Sequence, residues 1–423
     1  MSRVHVIGAG LSGLSAAVSL AERGARVIVH EQAAQAGGRA RSFHDASLDR
    51  VIDNGNHLLL SGNRSALRYL DIVEASDRLA GPDTARFDFL EVDTGERWTI
   101  DLNRGPVPLW VLYGSRRVPG TTLGDYLQGL KLLTAGDRTV KDLFGRQGNL
   151  YRRFWEPFSI AVLNTPPEEA AARTLVPVIR ESLAKGADAS RPLIAKEGLS
   201  NTFVDPALAF LDRNGGEVRF GSRIVGLEIE NGRVSGLRTN RATEPLAAGD
   251  AVVLAVPPWI AGELLPGLVT PDAFAPIVNV HFRVDKHRDP LMREPLLGLI
   301  NSTAHWLFTR GDIASVTVSA AVALADRSAE DIAAMVWPEV AKAIDCPVDT
   351  PHASRIVKER RATFVTTPAQ LAKRPSARHE IRNLVLAGDY TDTGLPATIE
   401  GSIRSGEKAA DLLSSSGRKR RSA

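Results

Sequence analysis

The sequence predicts an α/β protein in which a parallel sheet, drawn from both ends and the middle of the chain, is interleaved with a second α+β part of mixed or antiparallel strands and helices. Three observations predict it. The first thirty residues run strand, glycine turn, helix, strand. Patterning of the same kind returns between Leu199 and Leu254 and again after Asn383. At 423 residues the chain also exceeds the usual reach of one hydrophobic core.

Arg3 to Ile7 is β-rich, and after the turn GAGLSG the apolar positions Leu11, Leu14, Ala17, Val18 and Ala21 fall at helical spacing. Gly24 stops that helix, and a second β-rich run, Ala25 to His30, ends on Glu31. From Gly62 to about Leu199 the pattern is mixed, with helices expected at Thr122 to Leu133 and around Glu168 to Lys185. Next come a helix over Val204 to Arg213, an NGG turn, and strands at Glu217 to Phe220, Ile224 to Glu230 and Ala251 to Val256. Strand-like runs at Val278 to Val284 and Ser315 to Val322 lie in a second mixed stretch. Asn383 to Ala387 reads as a strand, Gly388-Asp389 as a turn and Ile399 to Leu413 as a helix, while the polar end SSSGRKRRSA reads as disordered. No fixed-period repeat is visible, which removes solenoids and propellers.

Hydrophobic residues make up 43% of the chain and charged residues 24%, the composition of a globular protein. The net charge of +3 is owed to Arg418, Lys419, Arg420 and Arg421, so the remaining body is close to neutral. That removes the compositional argument for nucleic acid. A single cysteine, Cys346, excludes an internal disulfide and a cysteine zinc site, and no metal is expected. A reducing, cytoplasmic setting is the simpler expectation. No apolar run approaches the roughly 18 residues that span a bilayer, so any membrane contact would be peripheral, on its inner face.

Gly8, Gly10 and Gly13 form G-x-G-x-x-G between a strand and a helix, where the amides of a turn that includes Leu11 and Ser12 can approach a pyrophosphate at the positive end of the helix. Glu31 stands roughly twenty residues on, at the end of the second strand, where a carboxylate accepts a hydrogen bond from a ribose hydroxyl and repels a 2′-phosphate. The set points to a dinucleotide.

Which dinucleotide is indicated by Gly37-Gly38-Arg39. Two glycines and an arginine soon after the ribose acid resemble the signature of the FAD enzymes related to monoamine oxidases and phytoene desaturases, where they pass along pyrophosphate and flavin. AVVLAVP, Ala251 to Pro257, and Arg223 to Glu230, with Val225 on the adenine side, resemble the middle segments of that superfamily. NLVLAGDYTDTGLPATIEGSIRS, Asn383 to Ser405, resembles its flavin segment. The resemblance implies Gly388 and Asp389 beside the ribityl chain, and Ala397, Thr398 and Ile399 opening a helix whose amides face the flavin ring. Glu400 is left as either a brace of that helix or a substrate contact. The resemblance thus implies a Rossmann-like FAD-binding domain at 1–61, 199–265 and 380–413, a substrate domain at 62–198 and 266–379, and a basic tail at 414–423.

One short stretch carries the question of activity. DNGNHLLLSGN, Asp53 to Asn63, wedges an ionisable side chain, His57, between a polar turn and three leucines. The superfamily resemblance implies that Asn54 and Gly55 bring backbone close to the flavin and that His57 stands at the wall of the substrate cavity. A histidine that only hydrogen-bonds a neighbouring carbonyl is the alternative.

The same stretch, with FWEPFSIAVLNTPP (Phe154 to Pro167) and GLSNTFVDP (Gly198 to Pro206), is similar to the squalene-associated hydroxysqualene dehydroxylases of bacterial hopanoid synthesis. That resemblance implies an FAD-dependent oxidoreductase that replaces the allylic hydroxyl of hydroxysqualene with hydrogen. Loss of hydroxide needs a proton, for which His57 and Asp392 are the candidates. No second G-x-G-x-x-G stands between a strand and a helix, so an external electron donor is expected. Three rivals stand beside it: a carotenoid-type desaturase, a flavin amine oxidase and a non-enzymatic prenyl-chain carrier. Thr398, where amine oxidases place a tyrosine, counts against the second, and the intact cofactor set counts against the third. Pro106 to Tyr113, PVPLWVLY, reads either as a peripheral membrane contact for a C30 isoprenoid enzyme or as a buried strand.

Overall fold

The computed structural model describes residues 2–145, 147–284, 296–346, 351 and 353–421, with side chains as far as Ser414. Five strands form a parallel sheet in the order Glu217–Arg219, Arg26–His30, Arg3–Ile7, Ala251–Leu254, Leu384–Leu386. Both faces are covered, which is why these strands read as continuous β-branched and leucine runs rather than alternating ones. Val4, Val6, Val27, Val29, Val253 and Val385 pack under the N-terminal helix Leu11–Glu22. Their neighbours Ile7, Val252, Leu254, Leu384 and Leu386 face the opposite core.

A seven-stranded mixed sheet forms the second layer system, in the order Ala353–Phe364, Phe274–Arg283, Ile313–Val318, Trp306–Arg310, Leu296–Ile300, Ala85–Glu91, Arg97–Leu102. All its pairings are antiparallel except that of Leu296–Ile300 with Ala85–Glu91. The C-terminal helix Ile399–Arg421 lies across the N-terminal helix at very short range. A Cβ on Gly406 would stand 2.3 Å from the Ser12 carbonyl oxygen, so only glycine allows this crossing. The crossing packs the body of the last helix, at Gly406, on the end of the glycine turn.

Four local expectations are corrected. Thr122 to Leu133 is one α-helical turn, Leu123–Tyr126, followed by the 3₁₀ helix Leu127–Thr134. Gly124 and Gly129 weaken the α-helix there, and leucines at every third position suit a threefold repeat. Glu168 to Lys185 divides into Ala172–Thr174, Leu175–Glu181 and Leu183–Lys185. Pro177, tolerated in a first turn, sets the start of the middle piece. Ile224–Glu230 leaves the parallel sheet and pairs with Arg233–Thr239 in a small antiparallel sheet of its own. The last helix continues to Arg421 instead of giving way to a disordered tail at 414, because nothing in SSSGRKRR obliges an established helix to stop.

Three desolvated histidines make the fold sensitive to acid. Burial, and then repulsion from His5, lowers His30 to about 4, and burial lowers His281 and His305 to about 4 as well. The unfolded chain takes up these protons near pH 6.5, whereas the folded chain refuses them until about pH 4, so stability is lost as pH falls through that window. Differential scanning fluorimetry should give a lower melting temperature at about pH 5 than at about pH 7. Equal values at the two pH settings would contradict the burial of uncharged imidazoles.

Candidate functional site

The glycine turn is built by contact. A Cβ on Gly8 would meet the Ala255 carbonyl oxygen at 2.5 Å, and one on Gly13 would meet the Gly8 oxygen at 1.9 Å, so strand, turn and helix close on each other without side chains. Gly13 therefore stands behind the turn as a packing residue. Gly10 is different: a Cβ there would meet nothing within 4 Å, leaving its backbone open to a ligand. Glu31 is buried, and its two carboxylate oxygens accept the amides of Ala9 and Ala33, each at 2.8 Å. Each oxygen keeps a lone pair for a ribose hydroxyl.

From this turn a cavity of ≈ 950 Å³ runs without interruption into the second part of the molecule. Its lining begins with Gly8, Gly10, Leu11, Ser12 and Glu31, passes Gly37, Gly38, Arg39, Asn54, Gly55, Gly388 and Asp389, and reaches Ala397, Thr398 and Ile399. Arg39 bridges the middle. Its guanidinium donates to the buried Asp389 carboxylate at 2.8 Å and to the Ala362 carbonyl of the mixed sheet. At the far end, Thr398 Oγ1 caps the last helix by accepting the Gly401 amide at 3.1 Å. Glu400 is a brace: its carboxylate accepts the Ser65 and Ala66 amides at 3.0 and 2.9 Å and pairs with Arg404 at 2.9 Å. It thereby fixes the N-terminus of helix Arg64–Ile72 against the last helix.

The polar turn at Asp53 to His57 is held from three directions. Asp53 accepts Ser42 Oγ at 2.6 Å, the Leu199 amide at 2.9 Å and Arg310 at 2.9 Å. Sequence reasoning missed Asn279, a buried residue in the centre of the strand Phe274–Arg283. Its Nδ2 donates to the Asn54 carbonyl at 3.2 Å, while its Oδ1 accepts the Asn56 amide at 3.4 Å and the Thr317 hydroxyl at 2.9 Å. An asparagine within a mostly apolar strand, PIVNVHF, is the signal that could have marked it.

Beyond this turn the cavity becomes apolar and aromatic, with Phe87, Phe89, Trp110, Phe154, Phe158 and Trp306 in its walls and Leu58, Leu59 and Leu60 beside His57. Asn164 ends the FWEPFSIAVL helix in a left-handed turn and ties it to the mixed sheet through the Ala275 carbonyl, Thr363 and the Ala320 amide.

Three expected positions fall outside the lining: Gly13, which packs behind the turn, Asp392 and Val225. Asp392 is exposed, and its carboxylate accepts the Gly394 amide at 3.2 Å, closing its own surface loop. Val225 is exposed, because its strand turns off into the small antiparallel sheet, and the cavity edge here is Ser222, Arg223 and Ile224. His57 does line the cavity, but burial lowers its pKa to about 4 despite the opposing pull of Asp53. Burial thus favours the uncharged imidazole, which suits relay of a proton better than its storage.

The model of the family described as flavin containing amine oxidoreductase matches residues 11–414. The chain belongs to that family. Its cofactor is FAD, and the residues present fit it: an open Gly10, a ribose-competent Glu31, and a capped helix end at the far side of Arg39–Asp389. A hydroxysqualene dehydroxylase of Rhodopseudomonas palustris is 46% identical, over 98% of this chain and 99% of that one. Another, of Sinorhizobium fredii, is 44% identical over 97% of each. The 15-cis-phytoene desaturase of Glycine max is 25% identical over 99% of this chain and 81% of its own. Among solved structures, cyclohexylamine oxidase from Brevibacterium oxydans superposes with a TM-score of 0.72 over 99% of both chains at 16% identity, which shows the shared fold. Like these flavoproteins in architecture, the chain is an FAD-dependent oxidoreductase.

Asn279 supplies a test of the site. Asn279→Ala leaves the Asn54 carbonyl without its donor at the turn that carries His57. The variant should purify with its full flavin complement yet turn over on the order of 10²-fold more slowly, the usual consequence of displacing a site by about an ångström. Unchanged turnover would make the network purely structural.

Proposed function

We propose that the protein reductively removes the allylic hydroxyl of hydroxysqualene to give squalene, as a step of hopanoid synthesis. The supporting observation is the single cavity, which joins a dinucleotide cradle to an aromatic chamber suited to a long isoprenoid chain. The relatives sharpen the choice of chemistry, since the hydroxysqualene dehydroxylases stand at 43–46% identity and the phytoene desaturases near 25%.

When bound, FAD supplies the hydride that replaces the hydroxyl. The chain's own residues do the rest. Glu31 holds the adenosine ribose, Gly10 and the amides of Leu11 and Ser12 lie along the pyrophosphate, and Gly37, Gly38, Arg39, Gly388 and Asp389 flank the ribityl portion. Asn54 and Gly55, and the helix end at Ala397, Thr398 and Ile399, bracket the ring. Phe154, Phe158 and Trp306 exclude water and present π faces to the allylic cation that forms as the C–O bond breaks. His57, in which burial favours the uncharged imidazole, hydrogen-bonds the departing oxygen and relays to it the proton that completes water. Reducing equivalents come from an external donor. Assignment of 1–61, 199–265 and 380–413 to the cofactor and of 62–198 and 266–379 to the substrate is part of the same proposal, as is peripheral association with a membrane. No helix among the described residues is long and apolar enough to cross one.

Anaerobically reduced protein mixed with hydroxysqualene should regain the oxidised flavin spectrum while squalene appears in equal amount. Because His57 is already neutral, the rate should show no inflection between about pH 5.5 and about pH 8 that His57→Gln abolishes. Bleaching of the oxidised protein by squalene, with no response of the reduced form to hydroxysqualene, would instead identify a desaturase.

A further inference from the structure

Eight of the fifteen large hydrophobic side chains that stand exposed among the described residues fall between Val107 and Leu133, so their exposure is a local feature of one strap. PVPLWVLY is neither a strand nor buried. It forms a 3₁₀ turn, Leu109–Leu112, in which Leu109, Leu112 and the following Tyr113 are more than half exposed. The 3₁₀ helix Leu127–Thr134 then sets Leu127, Leu130 and Leu133 in register, since three residues per turn eclipse side chains at i and i+3. These leucines are 66%, 61% and 80% exposed. Such a helix gains nothing from water along that row.

The inner side of the strap is chamber wall: Pro106, Pro108, Trp110, Val111, Tyr126 and Gly129 all line the cavity. One segment therefore has an apolar outer face and an apolar inner face, with the substrate chamber directly behind it. Charge is arranged around it as well. Between 104 and 133 the chain carries Arg104, Arg116, Arg117 and Lys131 against the single acid Asp125, whose carboxylate is engaged with the Thr122 amide and hydroxyl. Arg116 lies over the exposed Tyr113 ring. Arg104 and Arg116 also pair with Asp188 and Asp101, so Arg117 and Lys131 are the cations this edge of the leucine rows offers beyond those pairs.

We propose that the strap 106–133 is a bilayer-docking surface: Leu109, Leu112, Leu127, Leu130 and Leu133 enter the acyl region, the basic residues meet anionic headgroups, and the substrate passes between membrane and chamber through this wall. The inference takes its substrate from the dehydroxylase reading, but its surface stands on the exposure, spacing and charge alone. Apolar insertion beside basic residues is the arrangement of interfacial helices. A second copy of the chain would also cover leucines, but it would bring the same positive charges against themselves.

The test uses full-length, FAD-loaded protein and the variant Leu127→Ser/Leu130→Ser/Leu133→Ser, none of whose positions lines the cavity. Wild type should float with vesicles of phosphatidylcholine and phosphatidylglycerol, and the variant should bind them on the order of 10²-fold more weakly. Turnover of hydroxysqualene carried in those vesicles should fall with binding, while turnover of detergent-dispersed hydroxysqualene stays at the wild-type rate. Wild type that remains with the unbound fraction, or a variant that floats and turns over vesicle-borne substrate as wild type does, overturns the proposal. So does a wild-type dimer that the variant abolishes without any vesicle binding, since a second copy would then be the occupant. Absence of squalene from the detergent arm with wild type would instead fault the dehydroxylase reading, and flotation would still judge the surface.

Discussion

One ion pair, Arg39 with Asp389, joins residues 350 positions apart, and the site depends on it. Asp389 is buried, so without the guanidinium its carboxylate would sit desolvated and uncompensated, a loss of about 3–5 kcal/mol for a broken buried pair. Half-exposure of Arg39 softens that figure. The same guanidinium also donates to Ala362 in the mixed sheet. Three segments that share no local sequence thus converge on one cation: the turn after the second strand, a strand of the second layer, and the turn before the last helix. Their convergence makes the cavity continuous.

The second constraint is the chain of carboxylates and arginines behind the far end. Glu400 caps helix Arg64–Ile72 and pairs with Arg404, which also holds Glu181 of helix Leu175–Glu181 at 2.6 Å. The last helix is therefore locked to an element on each side of the chamber. Its capped N-terminus is presented to the cavity as a fixed positive pole rather than as a mobile end. With Asn279 and Asp53 holding the Asp53 to His57 turn, one wall of the junction between cofactor cradle and chamber is fastened to strands and the other to flanking helices.

What could be read from the sequence follows from how local the governing contact is. The strand–turn–helix with Gly8, Gly10 and Gly13 was legible because its elements are contiguous in the chain and Gly13 packs on the Gly8 carbonyl, and Glu31 because strand length places it. FWEPFSIAVLNTPP and GLSNTFVDP were legible as family resemblance, and in the fold the first lines the chamber while the second supplies the Leu199 amide that Asp53 accepts. His57 lines the cavity, and the lowering of its pKa was not legible because its desolvation comes from the surrounding fold and not from its own turn. Asp392 failed for the opposite reason: a purely local hydrogen bond to Gly394 already satisfies it at the surface. Asn279 was passed over because its two partners in the polar turn, Asn54 and Asn56, lie more than two hundred positions earlier in the chain. The 3₁₀ strap was mistaken for an α-helix because leucines at every third residue fit both periods over so short a run.

The central claim is that Arg39 and Asp389 act as one unit to assemble the cofactor cradle. A double-mutant cycle tests it most directly, with FAD affinity measured for Arg39→Gln, Asp389→Asn and the pair together. The account predicts strong non-additivity, the double variant binding FAD little worse than either single one, with a coupling of about 1–3 kcal/mol. Losses that simply add would show two independent contacts and contradict it.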